Sequence, residues 1–436
     1  MSDVVKANGK EPAAQSVAAG AEFSSREAEA KFFIGDAVRR WCFQSLGPGL
    51  KAVILTGSLA RNEATWRRVE QGMQFLSDAE FIVIFKDKQE LPSTELITLI
   101  CSAAEEELRH QGVLCKVSFS AAYESYLLEL GQTVFGYELL NCGEVLYGDP
   151  DILLNKTGSI GSQISEEDGW RLLANRTLEL LEIVPELLAG KPELSDEAQY
   201  RLTKLYCDMA TSILVFKHEF VTGYQDRSEA LRRLYNRGQL SDLPLDLDRF
   251  VQLVERCTEY KIVQTWDGHS PFISAASVAE AVTVLRSLWA WELGQMNDAN
   301  GSVPESMLRL HMRNQGWKAR LRGWAFAVRR RGILEALRYG WRWFRLMLVS
   351  SPRYCVYAAT LEFWSSVGPL VSSFEFQVSS KAAPGPRKLE TGNSKLETTR
   401  NWLPIGNHFA GSATDANDLA AAILWNYHEF LVETTA

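Results

Sequence analysis

The chain has 436 residues, of which 46% are hydrophobic and 23% are charged, and its formal net charge is −8. This length suggests two or three domains and is ample for a hydrophobic core. The negative charge argues against nucleic-acid binding by bulk electrostatics. The seven cysteines are scattered without a C-x-x-C pair, which is typical of reduced thiols in a cytoplasmic protein. The sequence shows no secretory signal, no His/Cys zinc motif and no apolar run long enough to span a membrane.

The first third of the chain predicts a small domain of strands and helices. Residues 1–22 are rich in Ala, Ser and Gly, and we expect a disordered N-terminus there. A Ser24-Ser25-Arg26-Glu27 cap predicts an amphipathic helix over 27–45. The hydrophobic pattern then predicts strands at 52–56, 79–85, 113–119 and near Val145, and helices from about 58, at 93–111 and at 122–130. We therefore predict an α+β fold, with a small mixed sheet over 23–155 followed by a large, mainly helical region.

Four residues in this domain suggest a site for a phosphorylated ligand. The first strand ends at Gly57, where the backbone can approach a phosphate, and Ser58 offers a hydroxyl and an amide at the start of a helix. Asp78 and Glu80 lie two residues apart at the second strand, so their side chains point to the same face. Each pattern is common alone, but two carboxylates beside such a turn are suited to Mg²⁺ carrying a nucleoside triphosphate.

This arrangement resembles the nucleotidyltransferase superfamily of the DNA polymerase beta type, in which a strand, Gly-Ser and a helix precede a strand bearing Asp-x-Asp or Asp-x-Glu. The segment from Gly143 to Asp149 is similar to the strand that closes the domain in many bacterial members. The resemblance covers about 27–155. It implies a nucleotidyltransferase domain, Mg²⁺ as cofactor, and transfer of a nucleoside monophosphate to a hydroxyl acceptor that the sequence does not identify.

One feature departs from the superfamily pattern. Its members usually carry a third carboxylate on a later strand, whereas the strand predicted at 113–119 carries Lys116 and Ser118. Two interpretations stay open. The protein is either an enzyme that borrows a carboxylate, such as Glu63 or Glu138, or a catalytically impaired member that binds a nucleotide or acts as a scaffold. The polar stretch up to Ser77 predicts a long loop over the site.

The region after residue 155 has helical spacing of apolar residues over 168–189, 196–222 and 273–296, which predicts a helical domain over 156–300. The resemblance implies that such a domain supplies a lysine to the phosphates and an aromatic side chain near the base. Lys204 and Tyr206 are the candidates, and Arg176 is a weaker one for the phosphate. The alternative for Lys204 is a surface pair with Asp208, four residues later.

The region 307–353 is strongly basic, with twelve Lys or Arg, one acid (Glu335) and interleaved tryptophans. Three interpretations stay open: a helical layer that packs on the acidic remainder of the protein, a contact with an anionic membrane surface, or a nucleic-acid contact, which is the least favoured. The membrane alternative would place the protein at the inner face of the cytoplasmic membrane.

The remaining boundaries follow from composition. We predict a basic helical region over 301–376, a linker over 377–400 and a C-terminal segment over 401–436. An amphipathic helix is expected over 414–432, packed back on the protein or on a second subunit. The apolar stretch 354–374 contains Glu362 and Pro369, which indicates a core or interfacial helix rather than a membrane span.

Overall fold

The computed structural model describes residues 12–130, 132–154, 163–190, 193–262, 275–301, 303–373, 393–405 and 416–430. The described chain is mixed α and β and divides into two compact units. We call the first the sheet unit: it comprises the chain up to Glu129 and Cys142–Lys156. The second, the helical unit, comprises Leu130–Asn141, Thr157–Val263 and Asp267–Ala436. Residues 1–11 of the expected disordered N-terminus and 377–392 of the expected linker lie outside the described residues.

The sheet unit combines two long and two very short helices with two small sheets. Its helices are α1 (Pro12–Leu46), α2 (Gly57–Ala60), α3 (Thr94–His110) and α4 (Tyr126–Glu129). Its strands are β1 (Leu50–Thr56), β2 (Trp66–Val69), β3 (Gly72–Phe75), β4 (Ala79–Phe85), β5 (Val113–Leu114), β6 (Val117–Tyr123) and β7 (Glu144–Tyr147).

The main sheet has the strand order β6-β4-β1-β7. Strand β4 pairs antiparallel with β1 and parallel with β6, and β1 pairs antiparallel with β7, so the sheet is mixed. Alternate residues of the central strands, such as Val53, Leu55, Phe81 and Val83, pack in one core with Ile34 of α1 and side chains of α3. Strand β4 is buried on both faces after Glu80, because Ile82 and Ile84 on the opposite face are also buried.

Several predicted elements are confirmed and others differ. Strand β4 has the predicted bounds, and α3 begins after Ser93, whose Oγ accepts a hydrogen bond from the Leu96 amide (3.3 Å). Helix α1 begins at Pro12, well before the predicted cap, in an alanine-rich stretch that favours helix. The predicted helix from about 58 is wrong beyond one turn, since α2 ends at Ala60.

The predicted long loop before Ser77 is also wrong, because it contains the β2–β3 hairpin. This hairpin forms a second sheet with β5, in the order β2-β3-β5. The turn requires glycine: Gly72 has φ +132°, and a Cβ there would overlap the carbonyl of Gly112. The strand predicted at 113–119 is therefore two strands in two sheets, β5 and β6. Strand β6 continues to Tyr123, so the helix predicted at 122–130 is reduced to the single turn of α4.

The helical unit is built around one large hydrophobic core. Two of the stretches predicted as helical within 156–300, 196–222 and 273–296, form long helices with shifted ends, whereas the stretch 168–189 is divided between two α-helices joined by a 3₁₀ segment at Leu180–Ile183. In chain order the described helices are α5 (Val134–Cys142), α6 (Glu166–Glu179), α7 (Val184–Leu188), α8 (Asp196–Phe216), α9 (Tyr224–Asn236), α10 (Leu247–Ile262), α11 (Ala275–Met296), α12 (Pro304–Asn314), α13 (Trp317–Arg331), α14 (Ile333–Arg338), α15 (Gly340–Val349), α16 (Pro352–Ser373), α17 (Asn393–Trp402) and α18 (Ala416–Phe430).

The C-terminal helix packs on its own chain. Helix α18 buries a stripe of apolar side chains at helical spacing, including Leu419, Ile423 and Phe430, in the core of the helical unit. Part of the predicted linker, residues 393–400, lies in α17. Helix α16 is also largely buried in this core, and no described helix is long and apolar enough to cross a membrane.

Candidate functional site

The turn after β1 has the backbone that a glycine requires. Gly57 has φ +69°, a left-handed conformation that other residues adopt at a cost. The chain then makes the single turn of α2, and the amide of Glu63 donates to the carbonyl of Ser58 (2.8 Å). Ser58 is half-buried. With only one turn, the helix dipole at Ser58 is smaller than the sequence analysis assumed, so anion binding here would depend on the individual hydroxyl and amide groups.

Lys31 of α1 supports this turn, and the sequence analysis did not identify it. Its Nζ donates to Oδ1 of Asn62 (2.9 Å) and to the carbonyl of Ala60 (3.4 Å), and it lies 2.8 Å from Oε2 of Glu144 on β7. Lys31 therefore ties the end of α2 to the edge strand β7. Its sequence neighbourhood predicts only an amphipathic helix, so no local signal distinguishes it from other lysines.

Asp78 is positioned by the residue that precedes it. Ser77 is buried, and its Oγ accepts a hydrogen bond from the amide of Thr65 (3.0 Å). The amide of Ala79 donates to the carbonyl of Lys116 (2.8 Å), so the ladder between β4 and β6 begins directly after Asp78. Asp78 and Glu80 are exposed on either side of the fully buried Ala79, as expected for alternating positions on one face.

Glu80 and Gly57 are in direct proximity. Glu80 pairs in register with Thr56, the residue before Gly57. A Cβ placed on Gly57 would overlap Oε2 of Glu80 and would lie 3.1 Å from its Cδ. The structure thus brings together the predicted turn and one predicted carboxylate, and glycine is what leaves room for that carboxylate.

The neighbouring strand β6 carries Ser118, and Lys116 directly precedes that strand, where a further acid would complete the site. Ser118 is in register with Glu80. Nζ of Lys116 lies 3.9 Å from Oδ2 of Asp78, and both side chains are well exposed, so this pair contributes little stability. The positive charge of Lys116 lies beside Asp78, where it would attract a phosphate.

Both carboxylates considered as substitutes are engaged by arginines. Glu63 accepts a hydrogen bond from Nε of Arg61 (3.0 Å), and both side chains are largely buried. Glu138 belongs to the helical unit, where it forms an ion pair with the buried Arg227. An arginine beside a carboxylate neutralises the charge that a metal ion requires.

The donor set therefore consists of two carboxylates. No group of three or more Asp, Glu, His or Cys side chains suited to a metal occurs in the described ranges. Mg²⁺ is commonly held by one or two carboxylates together with phosphate oxygens and water, so Asp78 and Glu80 fit a Mg²⁺ that arrives with a nucleotide. The nearby Cys115 is not a ligand for such an ion, since burial raises the pKa of its thiol to about 12 and magnesium prefers oxygen.

The candidates predicted on the helical unit have different environments. Lys204 is half-buried on α8 and does not pair with Asp208, so the predicted surface pair is wrong. Asp208 instead binds Nε of Arg176 (2.6 Å), which also pairs with Glu179. Arg176 is thereby committed to a buried ion pair rather than to a phosphate. Tyr206 is buried in the core of the helical unit.

Lys204 and Tyr206 keep their proposed roles only as predictions. Tyr206 lines a cavity of about 310 Å³ within the helical unit, together with Arg249, Arg256 and Glu280.

Comparison with known proteins adds no relative: no protein-family model, no curated protein and no solved structure matches this chain.

Proposed function

We propose that the sheet unit is a nucleotidyltransferase-like domain that binds a nucleoside triphosphate with Mg²⁺ and transfers its nucleoside monophosphate to a hydroxyl acceptor. The observation that carries this proposal is the proximity of the Glu80 carboxylate to Gly57, with Asp78 exposed on the same face. A mixed sheet with this strand-turn-strand order supports the nucleotidyltransferase fold, which is part of the proposal.

In this proposal Asp78 and Glu80 hold the ion, which supplies charge neutralisation for the phosphates when bound. Gly57 and Ser58 bind the β- and γ-phosphates through backbone amides and the serine hydroxyl. Lys116 adds positive charge beside Asp78.

The proposed reaction is an in-line substitution at the α-phosphorus. The acceptor oxygen forms a bond to that phosphorus, the bond to the bridging oxygen of the β-phosphate breaks, and pyrophosphate leaves. The acceptor proton passes to water. The contribution of the protein is the positioning of the phosphates and the neutralisation of their charge.

The test is calorimetric titration of the full chain with each of the four nucleoside triphosphates, with and without Mg²⁺. We expect metal-dependent binding of at least one nucleotide. Asp78→Asn and Glu80→Gln should each weaken it at least tenfold, because each removes one charged oxygen ligand. Glu90→Gln is the matched control, since Glu90 is an exposed acid of the same unit outside the site. Equal loss in Glu90→Gln, or unchanged binding in Asp78→Asn, would contradict the assignment.

A second candidate function is nucleotide binding without transfer. It is favoured by Ser118 in register with Glu80 and by the arginine partners of Glu63 and Glu138. Product analysis with a radiolabelled triphosphate and small hydroxylated acceptors separates the two functions. Pyrophosphate release that Asp78→Asn abolishes supports the enzyme, whereas Mg²⁺-dependent binding with no release at any acceptor supports a nucleotide sensor or scaffold.

The proposal places the protein in the cytoplasm. All seven cysteines are free thiols, and most are buried, which suits a reducing compartment. Attachment to the inner face of the membrane would be peripheral and would involve the basic helices.

A further inference from the structure

The basic region divides into an inward and an outward half. The inward half belongs to the packing of the helical unit. Nε1 of Trp324 donates to the Ser350 carbonyl (2.8 Å), and Nε1 of Trp343 donates to the Pro404 carbonyl (3.0 Å). Arg320 donates to the Met312 carbonyl (2.7 Å), and Arg331 pairs with Glu429 of α18. Trp343 and Arg331 thus contact residues outside the region 307–353, whereas Trp324 and Arg320 hold the region together internally.

The outward half consists of basic and large apolar side chains on α13, α14 and α15, three helices that pack on one another. Leu334 is 80% exposed, and Leu337 and Trp341 are each 74% exposed. The other exposed large apolar residues of these helices are Trp317, Leu321, Phe326, Ile333, Phe344, Leu348 and Val349. So many exposed apolar side chains on neighbouring helices indicate a binding surface.

The charges of this surface have one sign. Lys318, Arg322, Arg329 and Arg345 are exposed and form no ion pair in the part of the chain that the structure describes. On α13, the exposed Lys318, Arg322 and Arg329 recur at helical spacing along the outer side. The inner side carries Trp324 and Arg331. Glu335 is the one acid of the region 307–353, and it is engaged by Arg331 and Arg338.

We propose that α13, α14 and α15 form a docking surface for an anionic lipid bilayer. Exposed Trp, Leu and Ile enter the boundary between headgroups and acyl chains, and the arginines and Lys318 bind the lipid phosphates. This inference is independent of the nucleotide site, because it rests on another unit and on other residues. It goes beyond the sequence pattern, which did not separate outward from inward side chains.

Two other occupants fit the observations less well. RNA would satisfy the basic side chains, but its phosphate backbone offers nothing to Ile333, Leu334 and Leu337. A second copy of the chain would bury the apolar side chains, but it would bring the arginines of two identical surfaces together at an interface with one acid per copy. A bilayer satisfies both sets at once.

The experiment is flotation of the full chain with phosphatidylcholine vesicles, with and without about 30% phosphatidylglycerol. We expect binding to the anionic vesicles only, and weaker binding in 0.5 M NaCl because salt screens the phosphates. Arg322→Gln/Arg345→Gln should lower the partition coefficient about 25-fold, since each basic side chain near an anionic surface contributes about fivefold. Arg233→Gln/Arg237→Gln makes the same charge change on α9 and its C-terminal end and should leave partitioning unchanged.

The apolar contribution has its own pair of variants. Leu334→Gln/Leu337→Gln should reduce binding at least tenfold, whereas Leu99→Gln/Leu128→Gln replaces comparably exposed leucines of the sheet unit without effect. All variants are checked by circular dichroism, and because the substituted side chains are exposed we expect them to fold.

Three results would overturn the proposal. The first is absence of binding to both vesicle types by the folded wild-type chain. The second is equal loss in the matched control variants. The third is evidence for another partner in a protein that binds no vesicles. That evidence would be a dimer in light scattering that Leu334→Gln/Leu337→Gln dissociates, or a gel shift of RNA that Arg322→Gln/Arg345→Gln abolishes.

Discussion

Replacement of Gly57 by alanine tests the candidate site most directly. The added Cβ would overlap Oε2 of Glu80, and the φ of +69° costs an L-residue about 1–2 kcal/mol. Because the overlapping atom is at the end of a flexible side chain, Glu80 can rotate away from the added methyl group. The rotation removes the carboxylate from the turn. We therefore expect Gly57→Ala to lose Mg²⁺-dependent nucleotide affinity at least tenfold, as Glu80→Gln does.

Gly47→Ala is the matched control. Gly47 has nearly the same φ, +68°, and a Cβ there meets nothing within 4 Å. Urea unfolding followed by circular dichroism should show a similar loss of about 1–2 kcal/mol in both variants, while calorimetry should show lost binding in Gly57→Ala alone. Normal nucleotide affinity in Gly57→Ala would refute the reasoning, because the position of the Glu80 carboxylate would then be irrelevant. Equal loss of affinity in Gly47→Ala would do the same.

Three further outcomes are expected. Burial raises the pKa of Glu292 to about 8, so the folded protein keeps a proton that the unfolded chain loses near the ordinary value of 4.5. The free energy of unfolding should therefore fall by about 1.4 kcal/mol per pH unit between these two values. In Glu292→Gln, urea unfolding should show no such dependence on pH. Arg176→Met should destabilise the protein by about 3–5 kcal/mol, because it leaves the buried Asp208 charge unpaired; a loss below about 1 kcal/mol in thermal or urea unfolding would show that the pair is dispensable. Lys116→Gln should strengthen Mg²⁺ binding to the nucleotide-free protein about two- to fivefold, since an exposed pair with Asp78 competes weakly; an unchanged Mg²⁺ titration at low salt would exclude that competition.

The local elements with strong patterns were predictable from the sequence. Strand β4 and helix α3 have clear signals, an apolar run in one and a serine cap with helical spacing in the other. That the Gly57 turn and the carboxylates Asp78 and Glu80 belong to one site was expected from the resemblance, but not which carboxylate lies against the glycine. The hairpin β2–β3 was missed because its strands have only four residues each and lie in a stretch with many polar residues.

The partners of charged side chains could not be predicted. Lys204 and Asp208 are four residues apart, which favours a pair on an isolated helix, yet Asp208 binds Arg176 from another helix. Glu63 and Glu138 were open candidates as metal ligands until the structure placed an arginine at each. Such contacts depend on which helix faces pack together, and that information is distributed over the whole chain.

The sequence by itself determined the mixed α and β class of the fold, the position of the glycine turn, the two carboxylates and the concentration of positive charge in 307–353. These depend on residue type and on spacing along one element, where backbone geometry is regular. Only the tertiary structure decided that Glu80 lies against Gly57, that Ser118 is its neighbour, and which arginines point outward. Those facts require strand register and helix packing, which bring together residues far apart in the chain and are set by the burial of both cores.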